Sequence, residues 1–306
     1  MTMASEAIYQ MVTERVVQKI QDAIKALEAG ATAVIAPWRR PWFQTGIPTN
    51  LISKKAYRGF NVFFLSCLGY TSPYFVSFKQ AKDMGGKIKK GEHGYPVVFW
   101  KWVEVDKDDD GNELAKPKKI PFLRYYTVFN TEQTEGIDPK KIPSVEVRTF
   151  NPIAEGDAII NNMPHRPQIE HGGGRASYCP STDIVRLPNH ETFNTDGEYY
   201  STAFHELTHS TGHVSRLNRS EVMDGISFGS HSYSREELVA EMGCVFLCNE
   251  IGLEATFDNS LAYMKSWLGK LKDDTKMLIV AAGRAQKAVD YILGNNFEGK
   301  KNDDDE

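Results

Sequence analysis

The sequence is short of cysteine. Its 306 residues include four, Cys67, Cys179, Cys244 and Cys248, and no two of them form a C-x-x-C pair. That excludes a disulfide scaffold and a cysteine-ligated zinc module, and fits reduced thiols in a cytoplasm. Long apolar runs are missing as well. No window approaches the roughly 18 residues a membrane span needs, so no membrane partner is expected. The N-terminal stretch "MTMASEAIYQMVTERVVQKI" has neither an apolar h-region nor a small-residue cleavage site, so it does not read as a secretory signal. No internal repeat is visible, no zinc finger or recognition helix of a duplex reader is evident, and no nucleotide cofactor is expected.

What is present is a charge asymmetry. Residues 1–130 hold 19 Lys and Arg against 12 Asp and Glu, while the remainder holds 17 against 28, so a net charge of −4 hides a basic front and an acidic back. Segment 38–101 concentrates 11 basic residues, only 2 acidic ones and 14 aromatics. Single-stranded nucleic acid is held by that combination, because rings stack on exposed bases and cations neutralise phosphates. The candidate contacts are Trp38, Arg39, Arg40 and Trp42 in "PWRRPWF"; Lys54, Lys55, Tyr57 and Arg58 in "KKAYRGFN"; and Lys87, Lys89, Lys90, Trp100 and Lys101 in "GGKIKKGEHGYPVVFWKW". The competing reading is that the rings are core and the lysines ordinary surface.

Periodicity predicts an N-terminal helix capped by Ser5 and stopped at Gly30, its apolar face running from Ile8 to Leu27. A short helix is predicted around "SFKQAKDM", and "YPVVFWKWVEV" and "PFLRYYTVFN" read as a β-hairpin with a long charged loop. Asp106, Asp108, Asp110 and Gly111 imitate half of a calcium loop, but its twelfth position is Pro117, so a solvated hairpin tip is the better reading. Turn residues over 131–150 suggest a boundary, giving domains 1–140 and 141–306. The second domain reads as mostly helical with a small sheet, and the whole chain as α+β.

The segment "YYSTAFHELTHSTGH" places His205, Glu206 and His209 in the order H-E-x-x-H. Four residues turn a helix by about 400°, so both imidazoles project from one face and can share an ion, with Glu206 placed to take a proton from water. A catalytic zinc needs a third protein ligand and an open position. The third histidine of the metzincin pattern is absent, because Ser215 stands there. The remaining candidates are His213, which requires a helix break at Thr211–Gly212, and the pair Glu237 and Glu241 in "SREELVAEMG". One glutamate of that pair could bind metal while the other accepts the ring N–H of a ligand histidine.

Taken together, "APWRRPW", "YRGFNVFFL", "GGKIKKGEHGYPVVFW", "FHELTHSTGHVSRLNR" and "YSREELVAEMG" resemble the ArdC antirestriction proteins of conjugative elements over nearly the whole chain. The resemblance implies an N-terminal mixed α/β domain that binds single-stranded DNA, followed by a zincin-like metallopeptidase domain, together protecting incoming plasmid DNA from host restriction. It also implies a glutamate as third ligand, favouring Glu237 with Glu241 as its supporting carboxylate, an assignment that could be reversed. Zinc is the expected ion and manganese the alternative. In that protective reading the metal domain would cleave a protein bound near the DNA; two other functions compete, a general metallopeptidase that the basic half only localises on DNA, and a DNA-binding protein whose metal is structural.

Overall fold

The computed structural model describes residues 3–29, 46–107, 113–144, 151–219, 222, 231–256 and 261–295. Trp38, Arg39, Arg40, Trp42, Gly30 and the tip of the acidic hairpin loop lie outside them. Among the described residues, no helix is long and apolar enough to cross a membrane.

Helix α1 runs from Met3 to Glu28. It begins two residues before Ser5, so Ser5 is not its cap. Its stripe of Ile8, Val12, Val16, Ile20 and Ile24 is buried, as the helical spacing requires. Strands β1 (Thr49–Asn50) and β2 (Tyr74–Ser77) flank helix α2 (Phe60–Ser66), and helix α3 (Phe78–Asp83) follows directly. Ser77 and Gln80 form a reciprocal capping box at its start, satisfying two backbone donors.

Strand β3 (Lys87–Ile88) pairs antiparallel with β6 (Thr134–Glu135), which closes the front domain back onto itself. Strands β4 (Tyr95–Lys107) and β5 (Glu113–Asn130) form the predicted hairpin. The front sheet has the order β1-β2-β5-β4, so β4 is an edge strand.

The second domain opens with α4 (Pro152–Asn162) and a small sheet of β7 (Gln168–His171), β8 (Ser177–Cys179) and β9 (Ile184–Leu187) in the order β7-β9-β8. Four helices complete it: α5 (Asp196–Ser210), α6 (His231–Glu250), α7 (Leu261–Asp273) and α8 (Met277–Ile292). The α+β class and the two-part arrangement agree with the sequence reading.

The two parts share one core. Val12 and Ile20 of α1, Phe63 and Phe64 of α2, and Leu247, Leu271 and Leu278 of the back helices belong to the same buried cluster. Arg58 reinforces that junction with a 2.5 Å ion pair to Asp290 on α8. The helices that carry the metal-type motif are thus braced from both sides.

Candidate metal centre

Helix α5 carries His205, Glu206 and His209 and packs against α6 and α8. Thr195 caps its N-terminus, and the chain leaves the helix at Thr211. Helix α6 comes close to α5 at Gly243, where a Cβ would lie 2.5 Å from the Thr208 methyl. Only glycine fits there, and that contact brings the acidic turn of α6 over the two histidines.

Among the described residues, His205, His209 and Glu237 are the one group whose donor atoms converge as metal ligands do. The two Nε2 atoms are 3.1 Å apart. Glu237 turns one oxygen to each ring, 3.6 Å from His205 and 3.4 Å from His209. Two ligands of a tetrahedral ion about 2.05 Å away would stand about 3.3 Å from each other. The spacing and the nitrogen and oxygen donors therefore fit a divalent ion of zinc type.

The His209 ring is fixed from behind. Its Nδ1 lies 3.3 Å from Glu236, and since an ionised carboxylate only accepts, the proton belongs on Nδ1 and Nε2 faces Glu237 and His205. Arg219 holds Glu236 in turn, with contacts of 2.6 and 3.0 Å. Arg219 also donates to Thr211 Oγ1 and the Thr208 carbonyl, so the guanidinium joins the end of α5 to α6. Both side chains of this pair are almost fully buried, at 7% and 4% exposure.

Electrostatics follow from that arrangement. Burial, reinforced by His209, pushes His205 down to about 4 and keeps it neutral. Burial acts the same way on His209, but hydrogen bonds and charge from Glu236 and Glu237 override it and raise the ring to about 10. For Glu236, burial opposes ionisation and is outweighed by His209 and Arg219, so its carboxyl stays below the usual range. Glu206 shifts the other way: burial raises it, the Glu237 charge adds to this, and His209 and the Tyr178 backbone N–H oppose it. The fold thus creates a pocket of negative charge facing two imidazoles, with a raised carboxyl beside it.

Two candidate ligands do not join the cluster. His213 lies beyond the end of α5, its Nδ1 2.8 Å from Ser215 Oγ. Glu241 lines an apolar hollow with Val16, Phe63 and Trp267. The expectation that Glu237 and Glu241 serve one site is therefore corrected, and Glu236 takes the supporting place. The physical reason is the His209 ring itself, whose two nitrogens diverge. Consecutive residues of α6, about 100° apart, address its two sides, whereas residues one turn apart address one. The adjacent glutamates in "REEL" were the available signal for this, but the partner Arg219 had none, because it comes from an irregular segment.

The candidate DNA contacts fall into separate groups. Tyr57 is buried edge-on to Phe75, so its ring offers no stacking face, and Arg58 is engaged by Asp290. Tyr57 was expected at the surface and is core instead, whereas Arg58 is exposed and meets Asp290 there. Lys54 is exposed 5.8 Å from the Tyr74 ring centre, and Lys55 is exposed beside it. Lys87 pairs with Glu135 at 3.0 Å, Lys89 donates to the Glu132 carbonyl, and Lys90 is exposed. Trp100 and Lys101 project from β4, and the sequence reading passed over their exposed neighbours Trp102, Tyr125 and Tyr126.

Comparison with known proteins adds to this geometry. Residues 6–129 match the family model of the N-terminal domain of anti-restriction factor ArdC, and residues 155–284 match that of a zincin-like metallopeptidase. Two crystal structures of the antirestriction ArdC protein from plasmid R388 share 36% identity with the chain. The metal-free one has a TM-score of 0.69, covering 94% of this chain and 97% of its own. The Mn(II)-bound one has a TM-score of 0.68, covering 95% and 99%. The protein y4eC of Sinorhizobium fredii is 32% identical over 97% of this chain and 94% of its own length. Two Escherichia coli proteins named DNA primase TraC are 36% and 32% identical, covering 91% and 98% of this chain. The chain spans only 20% and 28% of their length.

Proposed function

The chain belongs to the ArdC anti-restriction family, with a zincin-like second domain, and on that premise we propose that it protects incoming plasmid DNA during conjugation. In this reading the basic front half holds single-stranded DNA, and the second domain cleaves a protein bound near that DNA in the cytoplasm. The observation that carries the enzymatic part is the convergence of His205, His209 and Glu237 from two helices beside Glu206.

His205, His209 and Glu237 would hold a divalent ion, with zinc suited to the donor set and manganese its competitor, since the plasmid R388 relative is Mn(II)-bound. When bound, such an ion supplies Lewis acidity towards a carbonyl oxygen and an attacking water. Glu206, its carboxyl raised by burial, would take a proton from water and return it to the departing amine nitrogen. Glu236 and Arg219 keep the His209 ring oriented throughout.

The test is Glu206→Gln, which removes the proton acceptor and leaves the three ligands. Metal-loaded wild type and variant are compared for cleavage of an unfolded protein substrate, with and without single-stranded DNA, and for protection of a plasmid transferred into a restricting host. Loss of cleavage and of protection at unchanged metal content supports the reading. Full protection by the variant assigns the metal a structural role, and cleavage that ignores DNA indicates a general peptidase.

A further inference from the structure

Strand β5 pairs with β2 only over Val128–Asn130, whereas β4 pairs with β5 from Tyr95 out to Lys107. From Pro96 and Thr127 outwards the two strands therefore run as a ribbon with no third strand beside them among the described residues. The base of the ribbon is anchored, since Val97, Val98 and Leu123 are buried in the core. Opposite these residues and beyond them large rings stay exposed, with Tyr125 across from Val98, Trp100 across from Leu123 and Trp102 further out. Trp100 is 42% exposed, Trp102 64% and Tyr125 46%. A two-stranded ribbon is marginal in water on its own, and a row of bare rings along one marks a surface built for contact.

The register sorts these side chains. Residues directly opposite each other share a face, and the pairs Val98 with Tyr125, Trp100 with Leu123 and Trp102 with Pro121 place all three rings on one face. Lys101 and Arg124 stand on the other face, which carries Phe99 and Phe122 opposite them. Because β4 is an edge strand, long cationic side chains can reach round its open flank to the ring side. Trp100 and Trp102 are separated by about 6.8 Å along the strand, twice the rise of a residue. That is also about twice the 3.4 Å step of stacked DNA, so successive rings suit an extended strand with separated bases.

Cations flank the rings of this ribbon, and that decides the class of partner: Lys101 and Arg124 stand on the face behind them, and Lys119 stands on their own face, paired with Glu104. Lysine is depleted from the centres of protein–protein interfaces, yet here Lys101 follows Trp100 and precedes Trp102 on the edge strand, its side chain on the face behind the two rings. Stacking on rings with phosphates on neighbouring cations is how single strands are held. We propose that the outer β4–β5 ribbon is the single-strand nucleic-acid surface, with bases on Trp100, Trp102 and Tyr125 and phosphates on Lys101 and Arg124. This rests on the single-strand reading above and gives it a place in the fold.

The experiment is a fluorescence-anisotropy titration of the full chain with a labelled 20-residue oligothymidylate, and with a duplex of the same length, at several salt concentrations. Trp102→Ala should weaken single-strand binding about 5- to 150-fold with little change in salt dependence, and Trp102→Phe should restore most of it. Lys101→Ala combined with Arg124→Ala should flatten the log–log salt slope by about 1.4, roughly 0.7 per lost phosphate contact. All these side chains are exposed, so matching circular dichroism and melting of the variants serve as the folding control. Absence of binding by the wild type at low salt sinks the single-strand reading itself. Binding by the wild type that the ribbon variants leave untouched overturns only the ribbon assignment and moves the strand to another basic surface. Equal affinity for duplex overturns stacking. Sedimentation showing a wild-type dimer that Trp102→Ala dissociates would instead make the ribbon an interface between copies.

Discussion

Glu236 lies 3.3 Å from His209 Nδ1, and that contact decides which nitrogen of the ring faces the ligand cluster. The carboxylate accepts from Nδ1–H, so Nε2 is the nitrogen that faces His205 and Glu237. Arg219 neutralises Glu236 from the far side, which lets a charged group stay buried against the histidine.

Loss of this support should loosen metal binding without removing a ligand. Glu236→Gln is expected to lower divalent-metal affinity by about 10- to 100-fold, read by calorimetric titration of the metal-free protein. Arg219→Met leaves Glu236 as an uncompensated buried charge and should cost about 3–5 kcal/mol in urea unfolding. If both variants bind metal and unfold as wild type does, the network has no such role.

Direct ligands should behave differently. His205→Ala, His209→Ala and Glu237→Ala are each expected to abolish stoichiometric metal, whereas Glu206→Gln and Glu241→Gln retain it. Elemental analysis of the purified variants checks this. Full metal in Glu237→Ala would hand the third position to another group.

The α5–α6 spacing is a separate control point. Gly243→Ala introduces a methyl 2.5 Å from the Thr208 side chain, and overpacking of this sort costs about 1–3 kcal/mol. Since the same contact sets the height of α6 over the histidines, metal affinity should fall together with the melting temperature. Thr208→Ala, which removes both the methyl and the hydroxyl that the new Cβ would meet at 2.5 and 2.6 Å, should partly restore both in the double variant.

Acid should unlock the segment that follows α5. Burial opposes the charge of Asp183, but hydrogen bonds from Arg216 and Tyr178 outweigh it and hold the carboxyl below its ordinary value. A carboxyl depressed in the folded state stabilises above its unfolded pKa of about 3.9, and that contribution fades as pH falls through the lower folded value. Asp183→Asn should therefore cost about 1.5–3 kcal/mol at pH 7, with the deficit shrinking below about pH 4. Asp183 has a positive φ of 52°, which asparagine also tolerates, so backbone strain does not confound the comparison. Urea midpoints of both proteins across pH 3–7 measure it.

Local spacing carried a good share of this protein. A helical period made α1, α5 and α6 legible, and H-E-x-x-H placed His205 and His209 on one face because both belong to one helix. Alternation and turn residues likewise disclosed the β4–β5 hairpin. What spacing could not say is which way an element faces once packed. Tyr57 and Arg58 have the composition of a DNA contact, yet Tyr57 packs edge-on to Phe75 of β2 as core and Arg58 pairs with Asp290 on α8. Glu236, Glu237 and Glu241 look equivalent along α6. Only the approach of that helix to α5, limited by Gly243 against Thr208, sends the first to Nδ1, the second to the ligand cluster and the third to an apolar hollow. Trp102 is no different in sequence from a buried strand residue, and its exposure follows because, among the described residues, no layer packs over that part of the ribbon's face. Periodicity is a property of one element, whereas a ligand set, a buried charge pair or an open ribbon depends on which elements meet, and the packing of the whole chain decides that.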